Sequence, residues 1–289
     1  VVVTNSKNLF QSVKDSLGKN YALTPSKEKF LLRCVLKYND AITRIQDIQG
    51  KLERKTLLYT QKEDIGNKDY KVQIDNMRKV GIVYDPNEAY FIFPSFYQIW
   101  SQFAGLNTTE DGYGAEKVSY LDDGLKMKLE FGSDPKKPIG YFIINAKNLA
   151  IEEFYSKTEA RGEYLKSKST KYRTILYQSH IFFNQDPKSG KYFIGSGKTN
   201  ARVETTNESK SFVSFYDVEL ILTTSENFGD FAVKSNVNEQ KDIFKIDYPY
   251  DETYWNSENQ LLLTNEMLQF IEQMGTENKE FKVKSNLKN

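Results

Sequence analysis

Apolar and polar residues alternate along much of this chain with a period of two. In residues 125–131 every second position is apolar, and lysine or glutamate occupies the positions between. Because successive side chains of a β-strand point to opposite faces, this alternation predicts strands with one apolar and one polar face. Strands are predicted at 28–38, 42–59, 70–83, 88–93, 124–132, 138–145, 149–157, 172–184, 191–205 and 211–224.

Three segments space their apolar residues as a helix does. The first is capped by Asn5 or Ser6, the second opens at Pro94, and the third is capped by Thr264. The connections between predicted elements are polar or rich in glycine, which indicates irregular structure. They comprise a polar link at 61–68, a loop at 105–117 and a charged excursion at 157–171.

Long strands joined by short turns, with few helices, predict a mainly β protein of the α+β type. We expect one large curved antiparallel sheet, with flanking helices at the N-terminus, near 94–104 and at 264–274. Residues 1–274 are predicted to form a single domain with an N-terminal helix; a division into two lobes near 105–117 is the alternative. The polar tail at 275–289 is expected to be mobile.

Charge and composition narrow the classes of partner. The chain has 40 basic and 39 acidic residues and a formal net charge of +1, so we expect no nucleic-acid binding, which depends on a basic surface. Aromatic residues reach 14%, which favours strands with aromatic-lined faces. No apolar stretch approaches the length of a membrane span, and the N-terminus lacks the layout of a signal peptide. Because the chain begins without Met, we expect a processed protein or a fragment of a longer one.

Residues able to do chemistry near neutral pH are scarce. The chain has one cysteine and one histidine, which excludes an internal disulfide and a zinc site built from several histidines. Cys34 lies in an apolar run and is expected to be buried. His180 lies in a predicted strand without a recognisable catalytic context. Gly195–Thr199 resembles the end of a phosphate-binding loop, but Tyr192 stands where its first glycine belongs. We therefore expect no enzyme activity, no cofactor and no metal.

Two further groups could form a site. Asp217 and Glu219 share one face of a predicted strand and could serve a glycosidase, although a solvated sheet face is the favoured explanation for them. The aromatic residues before the last predicted helix could form a sugar platform or a protein contact. The binding residues predicted on this basis are Tyr250, Tyr254 and Trp255.

Several short motifs resemble a family of envelope proteins. They are Val1-Val2-Val3-Thr4, Asn20-Tyr21, Phe30-Leu31-Leu32-Arg33, the strand Ile45 to Leu52, Gly140 to Asn145 with Leu149-Ala150-Ile151, and Tyr254-Trp255 followed by Asn259. Together they resemble the region that follows the carboxypeptidase-regulatory-like domain in envelope proteins of Bacteroidota. The chain departs from that pattern at Leu32-Arg33, which lacks an aromatic pair, and at Asn145, which replaces an Asp.

The resemblance implies an open half-barrel sheet with helices, similar in shape to periplasmic lipoprotein carriers of the LolA type. It also implies a periplasmic or outer-membrane location, no established enzyme activity, and an N-terminal sandwich domain before Val1. The leading hypothesis is a non-catalytic scaffold or accessory subunit of an outer-membrane assembly or transport complex, with outer-membrane or periplasmic proteins as partners. The alternatives are a carrier of lipid or lipoprotein acyl chains, in a cavity under the sheet, and a carbohydrate-binding protein or glycosidase.

Overall fold

The computed structural model describes most of the chain. The residues described are 6–58, 69–84, 91–104, 115–132, 138–159, 162–167, 170–207, 210–225, 227–256, 261–275, 282–285 and 287.

The described residues form a 12-stranded antiparallel sheet. Its strands are β1 (Ser26–Tyr38), β2 (Ala41–Arg54), β3 (Tyr70–Tyr84), β4 (Ala115–Leu121), β5 (Lys126–Phe131), β6 (Ile139–Asn145), β7 (Ile151–Thr158), β8 (Leu165–Ser167), β9 (Thr170–Gln185), β10 (Tyr192–Asn207), β11 (Lys210–Ser225) and β12 (Lys282–Ser285). The order across the sheet is β12-β3-β2-β1-β11-β10-β9-β7-β6-β5-β4, and β8 pairs with β9 outside this order.

The sheet is open, because its two end strands, β12 and β4, are not paired with each other. Four helices accompany it in the described chain: α1 (Ser6–Asn20), α2 (Phe96–Ala104), α3 (Glu252–Trp255) and α4 (Asn265–Gly275). The prediction of a mainly β protein with an open antiparallel sheet is confirmed. The three predicted helices are also confirmed and correspond to α1, α2 and α4.

One face of the sheet, here called the inner face, carries the main apolar core. Neighbouring strands contribute their apolar residues to it in register: Leu32 on β1 pairs with Leu222 on β11 and with Ile48 on β2. Helices α1 and α2 cover this face and bury their own apolar sides against it. The covering residues are Leu9, Phe10, Val13 and Leu17 from α1, and Phe96, Ile99, Trp100 and Phe103 from α2.

The opposite, outer face is divided into two parts. On β1, β2 and β3 it is covered by α4, whose Met267 and Phe270 pack against Val35, Ile45 and Val80. We call this part the covered half. Each large apolar side chain buried in this way contributes about 1.5–3 kcal/mol. The short helix α4 is therefore attached mainly by this small apolar contact.

A buried ion cluster anchors the chain that leads into α4. Arg33 donates to both carboxylate oxygens of Asp47, at 2.7 and 2.8 Å, and Arg78 donates to Asp47 Oδ2 at 2.8 Å. The same Arg33 guanidinium donates at 2.7 Å to the backbone carbonyls of Leu261 and Leu262. Arg33 thus joins the sheet to the segment that precedes α4.

Three local predictions were wrong. No strand forms over 91–93, since Phe91 stacks on Tyr216 and Phe93 packs near Phe244 in an irregular segment. The loop predicted at 105–117 ends early, because β4 begins at Ala115. Residues 282–285, expected in a mobile tail, pair with the backbone of β3 and extend the sheet. The remainder of 88–93 lies outside the described residues.

The packing of α2 on β10 leaves no room for a side chain at Gly197. A Cβ there would lie 2.6 Å from Cε1 of the buried Phe103 ring, whereas a Cβ at Gly162 would meet nothing within 4 Å. We expect Gly197→Ala to lower the free energy of unfolding by about 1–3 kcal/mol, as overpacking does. Gly162→Ala, the matched control, should change it by less than about 1 kcal/mol. Urea denaturation of both variants provides the measurement, and equal stabilities would show that α2 does not pack here.

The ion cluster predicts a second difference in stability. Asp47→Asn leaves two buried guanidinium groups, Arg33 and Arg78, without their counter-charge, so we expect a loss of about 3–5 kcal/mol. The control is Glu266→Gln, which breaks the exposed ion pair with Lys37 in the same half and should cost about 0–1 kcal/mol. Denaturation curves that place the two variants within error of each other would contradict this role of Asp47.

Candidate functional site

The rest of the outer face is open to solvent. On β5, β6, β7, β9, β10 and β11, none of the outward-pointing side chains that the structure describes is buried, while the inward-pointing apolar ones mostly are. We call this region the uncovered half. It differs from the covered half, where Arg33, Val35, Ile45, Asp47 and Val80 are all buried. A surface of this size that the fold does not cover is the first place to search for function.

Aromatic rings cross the uncovered half from strand to strand. Tyr141 on β6 pairs with Tyr155 on β7, and Tyr155 pairs with His180 on β9. The two tyrosine rings stack with centroids 5.5 Å apart and an interplanar angle of 27°. His180 meets Tyr155 edge-on at 5.5 Å, and Phe182 lies 4.4 Å from His180. Offset and edge-on pairs are the favourable arrangements of aromatic rings, so this row is rigid.

A carboxylate lies in the middle of these rings. Glu153 Oε1 accepts a hydrogen bond from the Tyr141 hydroxyl at 2.7 Å and lies 2.8 Å from His180 Nε2. An ionised carboxylate can only accept hydrogen bonds, so Nε2 carries the proton in this pair. The two bonds fix the positions of the phenol, the carboxylate and the imidazole. We call Tyr141, Glu153, Tyr155, His180 and Phe182 the aromatic–carboxylate cluster.

The surroundings of Tyr141 keep its hydroxyl protonated. Desolvation, then the hydrogen bond and the negative charge of Glu153, raise the pKa of Tyr141 from 10.0 to about 12. Lys128 Nζ lies over the same ring, 4.7 Å from its centroid, in a cation–π contact. A phenol with a raised pKa donates hydrogen bonds but is a poor nucleophile. The cluster is therefore equipped for binding by hydrogen bonds and ring contacts.

Most other charges on the uncovered half are already paired. Each acidic side chain on these strands, apart from Glu153, has a lysine or arginine nearby among the described residues. The pairs are Glu130 with Lys128 at 2.8 Å, Glu152 with Lys126 at 3.2 Å, Glu204 with Arg173 at 2.8 Å, Asp217 with Arg202 at 3.7 Å, and Glu219 with Lys198 at 2.6 Å. The surface thus presents no continuous field of one sign.

The residues predicted from sequence as binding residues lie elsewhere. Tyr254 and Trp255 belong to α3, and their rings meet at 5.1 Å and 88°. Trp255 is only 5% exposed, and the Arg78 guanidinium lies 4.5 Å from its centroid, so the ring packs over the ion cluster of the covered half. Tyr250 and Tyr254 are half-buried, and burial raises the pKa of each. Their binding role stays a prediction, since no ligand contact bears on it.

The structure also shows the surroundings of three further groups that the sequence singled out. Cys34 is free and fully buried, as predicted, and burial raises the pKa of its thiol well above the usual value. Asp217 and Glu219 lie on the outer face as predicted, and burial raises the pKa of Asp217 against the opposing effect of Arg202. The glycosidase hypothesis for them stays a prediction. His180 has an acidic partner, Glu153, which the sequence had not indicated.

The described residues contain no group of three or more His, Cys, Asp or Glu side chains able to bind a metal ion. No helix within those ranges is both long and apolar enough to cross a membrane.

The chemistry of Tyr141 can be tested by titration. In wild type we expect this tyrosine to ionise near pH 12, and in Glu153→Gln at a lower pH, because the variant removes the negative charge. Tyr177 is the control: its pKa is also raised to about 12, by burial alone, and should not change. NMR spectroscopy of protein with isotope-labelled tyrosine measures the pKa values of both residues. Because the folded pKa of Tyr141 lies above the unfolded one, its stabilising effect is complete below pH 10 and lost as the pH rises through about 12. Ionisation of Tyr141 near pH 10 in wild type would contradict the described hydrogen bond.

Comparisons with known proteins add little to this geometry. No family model matches the chain, and no curated protein matches it. Among solved structures it is similar to a LolA superfamily protein, NE2245 from Nitrosomonas europaea, with 11% identity and a TM-score of 0.31 over 80% of this chain and 96% of that one. It is also similar to lipovitellin, from a structure of lipid–protein interactions, with 9% identity and a TM-score of 0.29 over 73% of this chain and 26% of that one. At these TM-scores neither likeness bears on function.

Proposed function

We propose that this protein is a non-catalytic binding protein that engages a partner protein through the uncovered half of its outer face. The observation that carries the proposal is the aromatic–carboxylate cluster, a rigid group of rings placed on a surface that no described helix covers. Protein interfaces are enriched in aromatic residues, and their strongest contacts are aromatic and arginine side chains in partly desolvated positions.

The exposure of apolar side chains supports a protein partner. Phe182 is 40% exposed although it is a large apolar residue in the middle of a long strand, and Ile139 and Val213 are similarly exposed on the outer face. On the adjacent strand β7, Phe182 is paired with Glu153. Exposed apolar rings beside hydrogen-bonding groups are typical of surfaces that a partner covers.

The paired charges of the uncovered half argue against nucleic acids and anionic membranes as partners, and the ring contacts of Tyr141 argue against a sugar. Nucleic acids and anionic membranes are bound through unpaired basic groups, and the lysines and arginines paired above are neutralised by their neighbours. A stacked sugar needs a free ring face, but the Tyr141 ring already stacks with Tyr155 and has the Lys128 ammonium 4.7 Å from its centroid. A protein surface with polar and apolar groups interleaved fits these features best.

The cell-envelope location belongs to the same proposal and rests on the resemblance described for the sequence. A scaffold or accessory subunit of an outer-membrane assembly or transport complex would need such a docking face and no catalytic group. Fractionation of cells that naturally produce this protein tests the location: recovery in the periplasmic or outer-membrane fraction would support it, and recovery in the cytoplasm would contradict it.

The lipid-carrier alternative would use the inner face. There, Phe103 of α2 packs directly against Gly197, and the ring centroids of Phe10 on α1 and Phe142 lie 6.0 Å apart, so both helices contact the sheet directly at these points. Native mass spectrometry of the purified protein distinguishes the two functions. Bound lipid would favour the carrier, whereas protein free of lipid would favour the docking face.

The docking face is tested by co-purification with a matched pair of variants. Phe182→Glu places a charge in the aromatic–carboxylate cluster, and Leu262→Glu places one on an exposed residue beside the covered half. We expect a partner cross-linked to wild type to be recovered equally with Leu262→Glu and reduced about tenfold or more with Phe182→Glu. Circular dichroism should show both variants folded.

Two results would contradict the proposal. One is recovery of the protein only as a monomer, without partner, after cross-linking in its natural membranes. The other is a partner whose recovery is unchanged by Phe182→Glu but lost in Leu262→Glu, which would place the interface on the covered half.

A further inference from the structure

Glu153 differs from the other acidic side chains of the uncovered half. Those others have lysine or arginine neighbours at distances of 2.6 to 3.7 Å. Among the described residues Glu153 has no lysine or arginine within ion-pair distance; its hydrogen-bond partners are His180 and the Tyr141 hydroxyl, and both engage its Oε1. No described residue donates a hydrogen bond to its Oε2. One carboxylate oxygen on this surface is therefore free to accept a bond from outside the chain.

The neighbours of Glu153 would strengthen such a bond. Across the strands it pairs with Ile143 on β6 and with Phe182 on β9, and Tyr155 follows two residues later on the same face. These side chains limit the access of water: the Glu153 side chain is 24% exposed and that of His180 is 34% exposed. An ion pair formed beside apolar and aromatic groups is screened less than one in open solvent.

The nearby lysines do not compete for this position. Lys126, whose charge also acts on Glu153, is paired with Glu152 at 3.2 Å. Lys128 is bonded to Glu130 at 2.8 Å and lies over Tyr141, and Lys198, the neighbour of His180 on β10, is bonded to Glu219 at 2.6 Å. The contact of Lys128 with the Tyr141 ring shows that a cation and an aromatic face already associate at this surface.

We propose that the partner protein inserts an arginine side chain beside Phe182, where its guanidinium donates to the free oxygen of Glu153. This inference rests on the proposed function and specifies the chemistry of the docking face. Guanidinium groups are weakly hydrated, stack on aromatic rings and bond carboxylates in a fixed planar geometry. Those three properties match a carboxylate that is fixed by two hydrogen bonds and flanked by rings.

The single histidine makes a direct test possible, because His180 gives one set of imidazole NMR signals. The probe is the peptide acetyl-Gly-Arg-Gly-amide, titrated through the millimolar range. We expect a saturable shift of the His180 signals in wild type. Acetyl-Gly-citrulline-Gly-amide has the same shape without the charge and should give no saturable shift.

Two variants complete this experiment. Glu153→Gln removes the charge at the proposed contact and should weaken the response to the arginine peptide about tenfold or more. Glu219→Gln removes a carboxylate that Lys198 already occupies, and it should leave the response unchanged. Equal responses to the two peptides, an undiminished response in Glu153→Gln, or no response in wild type would each overturn the inference.

The same variant separates this inference from the proposed function once a partner is captured. Loss of about tenfold or more in partner affinity in Glu153→Gln supports the arginine contact. Unchanged affinity in Glu153→Gln together with loss in Phe182→Glu would overturn the arginine contact and leave the docking face in place. Unchanged affinity in both variants would overturn both.

Discussion

An open antiparallel sheet has two faces, and the alternation of side chains along every strand makes the two faces chemically different. In this protein the strands keep a common register, so that the apolar rows of neighbouring strands join into one continuous core, as at Leu32, Leu222 and Ile48. A one-residue slip in any strand would turn its apolar row towards water, which makes the register strongly specified. The helices, the core and the exposed site all depend on this alignment.

Two of the four described helices, α1 and α2, cover the inner face. The aromatic side chains of α2 and of the segment before it fill the concave spaces between strand rows, with Trp100 meeting Phe30 edge-on at 5.0 Å. Small residues on the sheet allow this close approach, and Gly197 is the clearest case because the Phe103 ring occupies the place of its side chain. Shape complementarity between ring and glycine determines where the helix lies on the sheet.

The outer face is covered by α4 on β1 to β3 and is open on the strands of the uncovered half, and buried charge is part of the reason. Asp47 compensates two guanidinium groups, and Arg33 extends this network to the carbonyls that precede α4. Because buried ions need complete pairing, the segment that supplies those carbonyls must stay close to β1 and β2. This attachment covers β1 to β3, whereas the outer side chains of β5, β6, β7, β9, β10 and β11 stay open to solvent.

The aromatic–carboxylate cluster joins residues from three strands that are distant in sequence. Tyr141, Glu153 and His180 contact one another only because β6, β7 and β9 are neighbours in the sheet. Both hydrogen bonds go to one oxygen, and no described residue donates to the other oxygen of Glu153. A site of this kind suits recognition, since its groups are fixed before a partner arrives and little ordering is required on binding.

The alternation of residues by itself predicted the strand content, an antiparallel sheet and the three helical regions, because period and capping are local properties of the sequence. It also placed Asp217 and Glu219 on the same face of one strand. It could not show that β7 lies beside β9, and so it gave His180 no partner and passed over Glu153, Tyr155 and Phe182. It proposed a binding role for Trp255 but could not show that this ring packs on Arg78. Strand order and burial depend on contacts between distant segments, and only the folded chain decides them.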